Sequence, residues 1–261
     1  MKRTSLTQTQ QEVLEHALVR HGAIVTIADL ADLIPLEDAG QKRRFVKQMA
    51  DAGWLVRIKR GLYQIADLSS LGMLTLSRYT IAQLLVEESY VSCEAALQFH
   101  GMYDQLPATV TSVARTQYPT VTLEGIAYQY IKTSDKYYFG WEEVSLDGRT
   151  NKIATAEKAL IDLVQFHRTR LGVNLVAEKL AVYRDDLNMA RLQAFLLRSN
   201  LATLRIFGLM LDQLEIDTRA LWEVSRHSTT ASRLTAASEL HDGRWRLYYD
   251  DAALAPLTTN A

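Results

Sequence analysis

The chain has 261 residues, 48% of them hydrophobic, with one cysteine and a formal net charge of −1. That length suffices for about two domains with buried cores. The single Cys93 excludes an internal disulfide and points to a reducing, cytoplasmic setting, while no apolar run reaches the roughly 18 residues of a membrane span and no apolar stretch follows the charged N-terminus as in a secretory leader. The near-neutral total hides an asymmetry: residues 1–64 carry a net +3 and the remainder −4, and residues 38–64 alone hold seven basic and two acidic side chains.

Thr7 with Gln10 has the spacing of a capping box, in which each side chain satisfies a backbone donor left free at a helix start. Val13, Leu14, Ala17 and Leu18 then form one apolar face, so a helix is expected from about 7 to 20, stopped at His21-Gly22. Thr26 with Asp29 makes a second box. Ile27, Leu30 and Ile34 give the inward side of a short helix that Pro35 ends. Asp38 and Gln41 cap a third helix running to about Ala52. Three short helices with tight turns predict a helix-turn-helix arrangement. The following run, Trp54 to Ile65, holds two β-rich segments around Lys59-Arg60-Gly61. It predicts a hairpin with Val56 and Ile58 on one face and Arg57 and Lys59 on the other. A basic hairpin directly after the third helix reads as a wing.

At about 100° per residue, Phe45, Val46, Met49 and Ala52 cluster on one side of the third helix. Arg43, Arg44 and Lys47 cluster on the other, and Lys42 lies closer to the apolar face. A compact basic segment creates a local field that attracts phosphate. The second helix of a helix-turn-helix pair enters the major groove with its N-terminal residues nearest the bases. Arg43 and Arg44 are therefore the candidates for base contacts. Lys47, Arg57, Lys59 and Arg60 are the candidates for phosphate contacts, with Lys42 ranked behind them. Small Ala39 and Gly40 would let backbone N–H groups approach a phosphate. A solvated basic face or a protein-docking wing would carry the same pattern.

Asp67-Leu-Ser-Ser-Leu-Gly72 reads as a linker, so the expected domains are 1–66 and 73–261. Helices are expected over about 74–87 and 93–100, with His100 in a last turn where the helix dipole favours it. The period then changes. Strands are expected at 110–114, 126–131, 138–146 and 152–154, with turns at Glu124-Gly125 and Asp147-Gly148, as a small, mostly antiparallel sheet over about 108–154. The helical period returns over about 155–236, with helices from Thr155 and near 176–183, 188–199, 203–214 and 218–227. Arg244 to Tyr249 reads as a strand or a docking tail, and 255–261 as a fraying end. The expected fold class is α+β: an N-terminal winged helix-turn-helix followed by a larger mixed domain with a helical C-terminal part.

Residues 70–261 carry little recognisable chemistry. There is no HExxH, Walker A loop, GxGxxG or GxSxG, and one cysteine makes no zinc cluster. Asp185-Asp186 and Asp250-Asp251 follow no Gly-Ser strand-turn signal and read as solvated turns, not as carboxylates around Mg²⁺. No catalytic residue, metal ligand or cofactor is expected. Arg149, Lys152, Arg168 and Arg170 are a candidate second basic surface. Alternation makes most of Tyr128, Tyr130, Tyr137, Tyr138, Phe139 and Trp141 core residues, not a base-stacking platform.

Two stretches of the N-terminal module, Thr26-Ile-Ala-Asp-Leu-Ala and Ala52-Gly-Trp-Leu-Val-Arg-Ile-Lys-Arg-Gly-Leu-Tyr, resemble the N-terminal domain of AbiEi-type antitoxins. Tyr90-Val-Ser-Cys-Glu-Ala-Ala-Leu-Gln-Phe-His-Gly-Met-Tyr-Asp-Gln-Leu-Pro107 and Ile153-Ala-Thr-Ala-Glu-Lys-Ala-Leu-Ile-Asp-Leu163 are similar to that family's second domain. The resemblance covers about 7–165 and implies a bacterial antitoxin of the abortive-infection, type IV toxin–antitoxin kind. Such proteins repress their own operon at inverted repeats in double-stranded DNA and counteract a nucleotidyltransferase-like toxin. The alternative is a stand-alone transcriptional regulator with no toxin. No heptad seam decides between a monomer and a dimer on DNA.

Overall fold

The computed structural model describes residues 5–66 and 75–259. The expected linker at 67–72 lies outside them. The chain divides into two compact units, residues 1–87 with 122–125, and residues 88–121 with 126–261. Among the described residues it is a mixed α/β protein with eleven α-helices and three small sheets.

The first unit begins with α1 (Gln8–His21), β1 (Ile24–Thr26), α2 (Ile27–Leu33) and α3 (Ala39–Asp51). It continues with β2 (Leu55–Lys59), β3 (Leu62–Ile65) and α4 (Arg78–Leu85). The starts are set by the residues the sequence singled out. Thr7 and Gln10 form a reciprocal capping box, as do Thr26 and Asp29, and Asp38 accepts from the Gln41 N–H at 2.8 Å. The inward faces of the three helices meet in one core that includes Val13, Leu14, Ala17, Leu30, Val46 and Met49. Leu18 and Ile27, expected on those faces, are 45% and 38% exposed.

Two features of this unit differ from expectation. Ile24-Val-Thr is a strand, antiparallel to β3, so the sheet has three strands in the order β1-β3-β2. Three residues carry too short a period to be read as a strand, and only pairing with a distant segment makes them one. The hairpin also does not alternate as expected. A register shift between Arg57 and Lys59 leaves Leu55 and Ile58 buried, with Val56 half-buried. An inserted residue in one strand of a pair shifts which side chains face inward.

The second unit opens with β4 (Ser89–Val91), α5 (Cys93–Phe99) and β5 (Thr109–Ala114); β6 (Val121–Leu123), next in the chain, lies mostly in the 122–125 segment of the first unit, and β7 (Ile126–Lys132) follows in the second. A 3-10 turn at 135–137, β8 (Trp141–Leu146) and β9 (Arg149–Ala154) follow. The six strands lie in the order β6-β7-β5-β4-β9-β8. The sheet is mixed, which corrects the antiparallel expectation: β5–β7 and β4–β9 are parallel, β4–β5 and β8–β9 antiparallel. Adjacent strands in sequence suggest hairpins, but β5 and β7 are joined through β6 and so run the same way. The two expected turns are tight, with positive φ at Glu124, Gly125, Asp147 and Gly148, the backbone a two-residue hairpin turn demands.

Helices α6 (Ala156–Phe166), α7 (Arg170–Val182), α8 (Met189–Leu196), α9 (Leu201–Gln213) and α10 (Arg219–Ser225) come next. A small sheet of β10 (Ser232–Arg233), β11 (Leu240–Asp242) and β12 (Leu247–Tyr249) precedes α11 (Asp251–Thr259). Helix α6 is buried from Ala156 to Val164. Trp245 sits in a turn, fully buried over Gly208 of α9, and of the expected 244–249 segment only Leu247–Tyr249 is a strand. Of the expected fraying end, 260–261 lie outside the described residues, and 255–259 close α11, whose Ala253, Leu254 and Leu257 are buried and which packs on α7. Its apolar spacing was too brief to outweigh a terminal position. No helix among the described residues is long and apolar enough to cross a membrane.

Candidate nucleic-acid interface

Helix α3 turns one apolar side, Val46 and Met49, into the first core and leaves the other to solvent. Arg43, Arg44 and Lys47 are all exposed on it. Among the described residues, the side chains of Arg43 and Lys47 have neither a hydrogen bond nor an ion pair. Arg44 makes only a long contact, 3.4 Å, to the Gly40 carbonyl. Lys42 differs. It is half-buried, and its ammonium donates to the Ala31 carbonyl of α2, so it ties the two helices together. The Asp38 carboxylate already occupies the Gln41 N–H, which leaves Ala39 and Gly40 as the exposed first-turn backbone.

On the hairpin, Arg57 and Arg60 are exposed and without a partner among the described residues. Lys59 is half-buried and lies 3.8 Å from Glu87. The turn needs Gly61, whose φ is +79°, a region L side chains avoid. The Gly61 carbonyl accepts from the Ile27 N–H at 2.8 Å, which fixes the turn against the start of α2. Asp29 completes that start. The N–H and hydroxyl of Thr26 hold its carboxyl below the usual range.

The second candidate basic surface is partly used up internally. Arg170 lies 3.5 Å from Asp250, and Lys152 sits over the Trp141 ring, whereas Arg149 and Arg168 are exposed. Tyr128, Tyr130, Tyr138 and Phe139 are buried, and Tyr137 and Trp141 half-buried. His100 closes α5, with Nε2 2.8 Å from the Ala154 carbonyl. Asp185 and Asp186 are exposed turn residues, and Asp250 accepts from the Ala252 N–H at the start of α11.

One polar cluster was not foreseen. Lys158 and Asp162, one turn apart on α6, form an ion pair with side chains 1% and 0% exposed. Asp162 also accepts from Tyr90 at 3.0 Å and from Ser92 at 2.8 Å. Burial pushes its carboxyl up despite the neighbouring ammonium and hydroxyls. Beside it, Glu157 accepts from Arg191 at 3.1 Å and from the Asn188 N–H at 2.8 Å. Burial pushes Glu157 up, but these donors outweigh it and hold the carboxyl below its ordinary range. The legible signal was a charged i, i+4 pair inside an otherwise apolar helix, a spacing that brings side chains together.

Residues 12–66 match a family model described as "Transcriptional regulator, AbiEi antitoxin". That is the family the motifs of this segment resemble. The match ends before the 90–107 and 153–163 segments. Among solved structures, the RV2827C protein from Mycobacterium tuberculosis has a similar fold, with a TM-score of 0.63 and 13% identity over 98% of this chain and 95% of that one. A comparison with curated proteins finds no match.

Proposed function

We propose that the chain is a DNA-binding transcriptional repressor of the antitoxin kind. In this reading α1, α2, α3 and the β1-β3-β2 sheet form a winged helix-turn-helix, with α3 as the recognition helix and the β2–β3 hairpin as the wing. Arg43 and Arg44 address base edges in the major groove. Lys47, Arg57, Lys59 and Arg60 address phosphates, and Lys42 serves mainly as a strut. The observation that carries the reading is the set of exposed cations without an internal partner, Arg43, Lys47, Arg57 and Arg60, inside the segment that matches a regulator family. Cations that neutralise no carboxylate of their own chain are free to replace counterions on a phosphate backbone.

The protein then represses its own operon at an inverted repeat and counteracts a nucleotidyltransferase-like toxin, with no catalysis of its own. The family match favours a second reading to one degree: it ends at residue 66, within the proposed DNA-binding part. A stand-alone regulator without a toxin would need no more than that. A toxin-like reading frame beside the gene would decide for the antitoxin.

The test is a binding titration on the upstream region over a series of salt concentrations. Specific binding that weakens steeply with salt is expected. Arg43→Ala and Arg44→Ala should reduce discrimination between sites, and the Arg57→Ala, Lys59→Ala, Arg60→Ala triple variant should weaken all sites and lower the salt slope by about one per lost phosphate contact. Equal affinity for random DNA, or none of these variants weakening binding, would overturn the assignment.

A further inference from the structure

We propose that Cys93, Glu94 and His167 form a zinc-binding site in the second unit, independent of the DNA reading. Their ligand atoms, a thiol sulfur, a carboxylate oxygen and an imidazole nitrogen, all lie within 4.8 Å of one another. Cys93 and Glu94 open α5, and His167 is the residue that ends α6, two helices that pack together. The chain makes a sharp turn to bring the sulfur there: Cys93 has φ +53°, a backbone conformation uncommon outside glycine.

Three observations point to a cation. First, Glu94 and His167 are half-buried, yet neither side chain has a hydrogen bond or ion pair among the described residues. With no other partner holding them, both side chains are available as ligands to one metal ion. Second, sulfur, imidazole and carboxylate are the donors that zinc takes, at about 2.0–2.3 Å. Those bond lengths set tetrahedral ligand atoms roughly 3.5 Å apart, a spacing that small rotations of three side chains reach from the observed one. Third, α6 ends at His167, and the carbonyl end of a helix favours positive charge.

A reactive thiol is the competing use, and the environment is wrong for it. Cys93 is fully buried, whereas reactive thiols sit in partly exposed surroundings. A divalent cation would take the sulfur as the thiolate. The three ligands leave a fourth position open. Glu94 and His167 line a cavity of about 480 Å³ together with Tyr103, Asp104, Thr169 and Lys179. Water or a small anionic ligand would complete the coordination from that side, the arrangement of zinc sites that exchange a ligand.

The test uses the full chain, stripped of metal with a chelator and titrated with Co²⁺ and then Zn²⁺. One equivalent of Co²⁺ should bind with a thiolate-to-metal charge-transfer band, and one equivalent of Zn²⁺ should bleach it. Because Cys93 is the only cysteine, the band identifies its ligand. Cys93→Ser should abolish the band. His167→Gln and Glu94→Gln, at half-exposed positions that leave the core intact, should each weaken Zn²⁺ at least about tenfold, a lower bound set by what even outer-shell partners contribute. Zn²⁺ should raise the melting temperature of the wild type and not of His167→Gln. Absence of the band in folded wild-type protein overturns the proposal. So does unchanged Zn²⁺ affinity in both His167→Gln and Glu94→Gln, which decides the matter even where Cys93→Ser does not fold.

Discussion

Arg43, Lys47, Arg57 and Arg60 in the first unit and Lys158, Asp162, Glu157 and Arg191 in the second are all charged side chains, most of them on regular elements, but their surroundings are opposite. The first set is exposed and has no partner among the described residues. In the second set three of the four side chains are buried, Arg191 is half-exposed, and each charge faces an opposite one. An exposed, solvated cation contributes almost nothing to its own fold, so its presence in a cluster is informative about a partner. A buried pair contributes little net stability over an apolar pair of the same shape, but losing one member strands the other in a medium that cannot solvate it. Substitutions should therefore separate the two regions cleanly, one in binding and the other in stability.

The largest effect is expected from Asp162→Ala, which leaves the Lys158 ammonium buried and unpaired and takes the acceptor from Tyr90 and Ser92. A loss of about 3–5 kcal/mol is expected in denaturant unfolding. A loss below about 1 kcal/mol, the range of exposed pairs, would break the comparison. Next comes Gly208→Ala. A methyl group there would stand inside the contact distance of the buried Trp245 ring, and overpacking of this kind costs about 1–3 kcal/mol. Calorimetry reads it directly, and an unchanged melting temperature would mean that the ring is free to move aside.

Arg43→Ala and Arg44→Ala invert the pattern. Each should cost about 1–3 kcal/mol in specific DNA binding while stability changes by less than about 0.5 kcal/mol. A stability loss as large as the binding loss would return these residues to the fold. The smallest signal is a slope against pH. Glu157 has a folded-state value below its unfolded one, so the stability it contributes is present above about pH 4.3, the ordinary range for a glutamate, and is lost as pH falls through the folded value. Glu157→Gln should flatten that acid limb, converging with the wild type at its low end. Parallel curves would show that Arg191 and Asn188 do not distinguish the charged from the neutral side chain.

Local rules carried the first unit well. Capping boxes and the three-to-four-residue apolar period depend on neighbours within a turn, so Thr7, Thr26 and Asp38 mark the helix starts where the structure has them. The exposure of Arg43, Arg44 and Lys47 follows from the same period, because an amphipathic helix has one side left over. The hairpin was legible in its turn but not in its faces, since the register shift at Arg57 and Lys59 arises from pairing with β3. In the second unit α5, α6 and α8 to α10 were legible as segments with ends that moved by a few residues, α7 begins at Arg170 and not near 176, and α11 was not read as a helix.

What the sequence by itself determined is thus the set of elements whose signal lies within a few residues: the helices α1 to α10, the tight turns at Gly61, Gly125 and Gly148, and the basic side of α3. The tertiary structure alone decided the rest. Strand direction in the mixed sheet, the pairing of Ile24-Val-Thr with β3, the burial of α11, and the meeting of Cys93 and Glu94 with His167 each join residues far apart in the chain. A hydrogen-bond ladder or a ligand cluster is defined by where the partner arrives, and no local period of side chains encodes that.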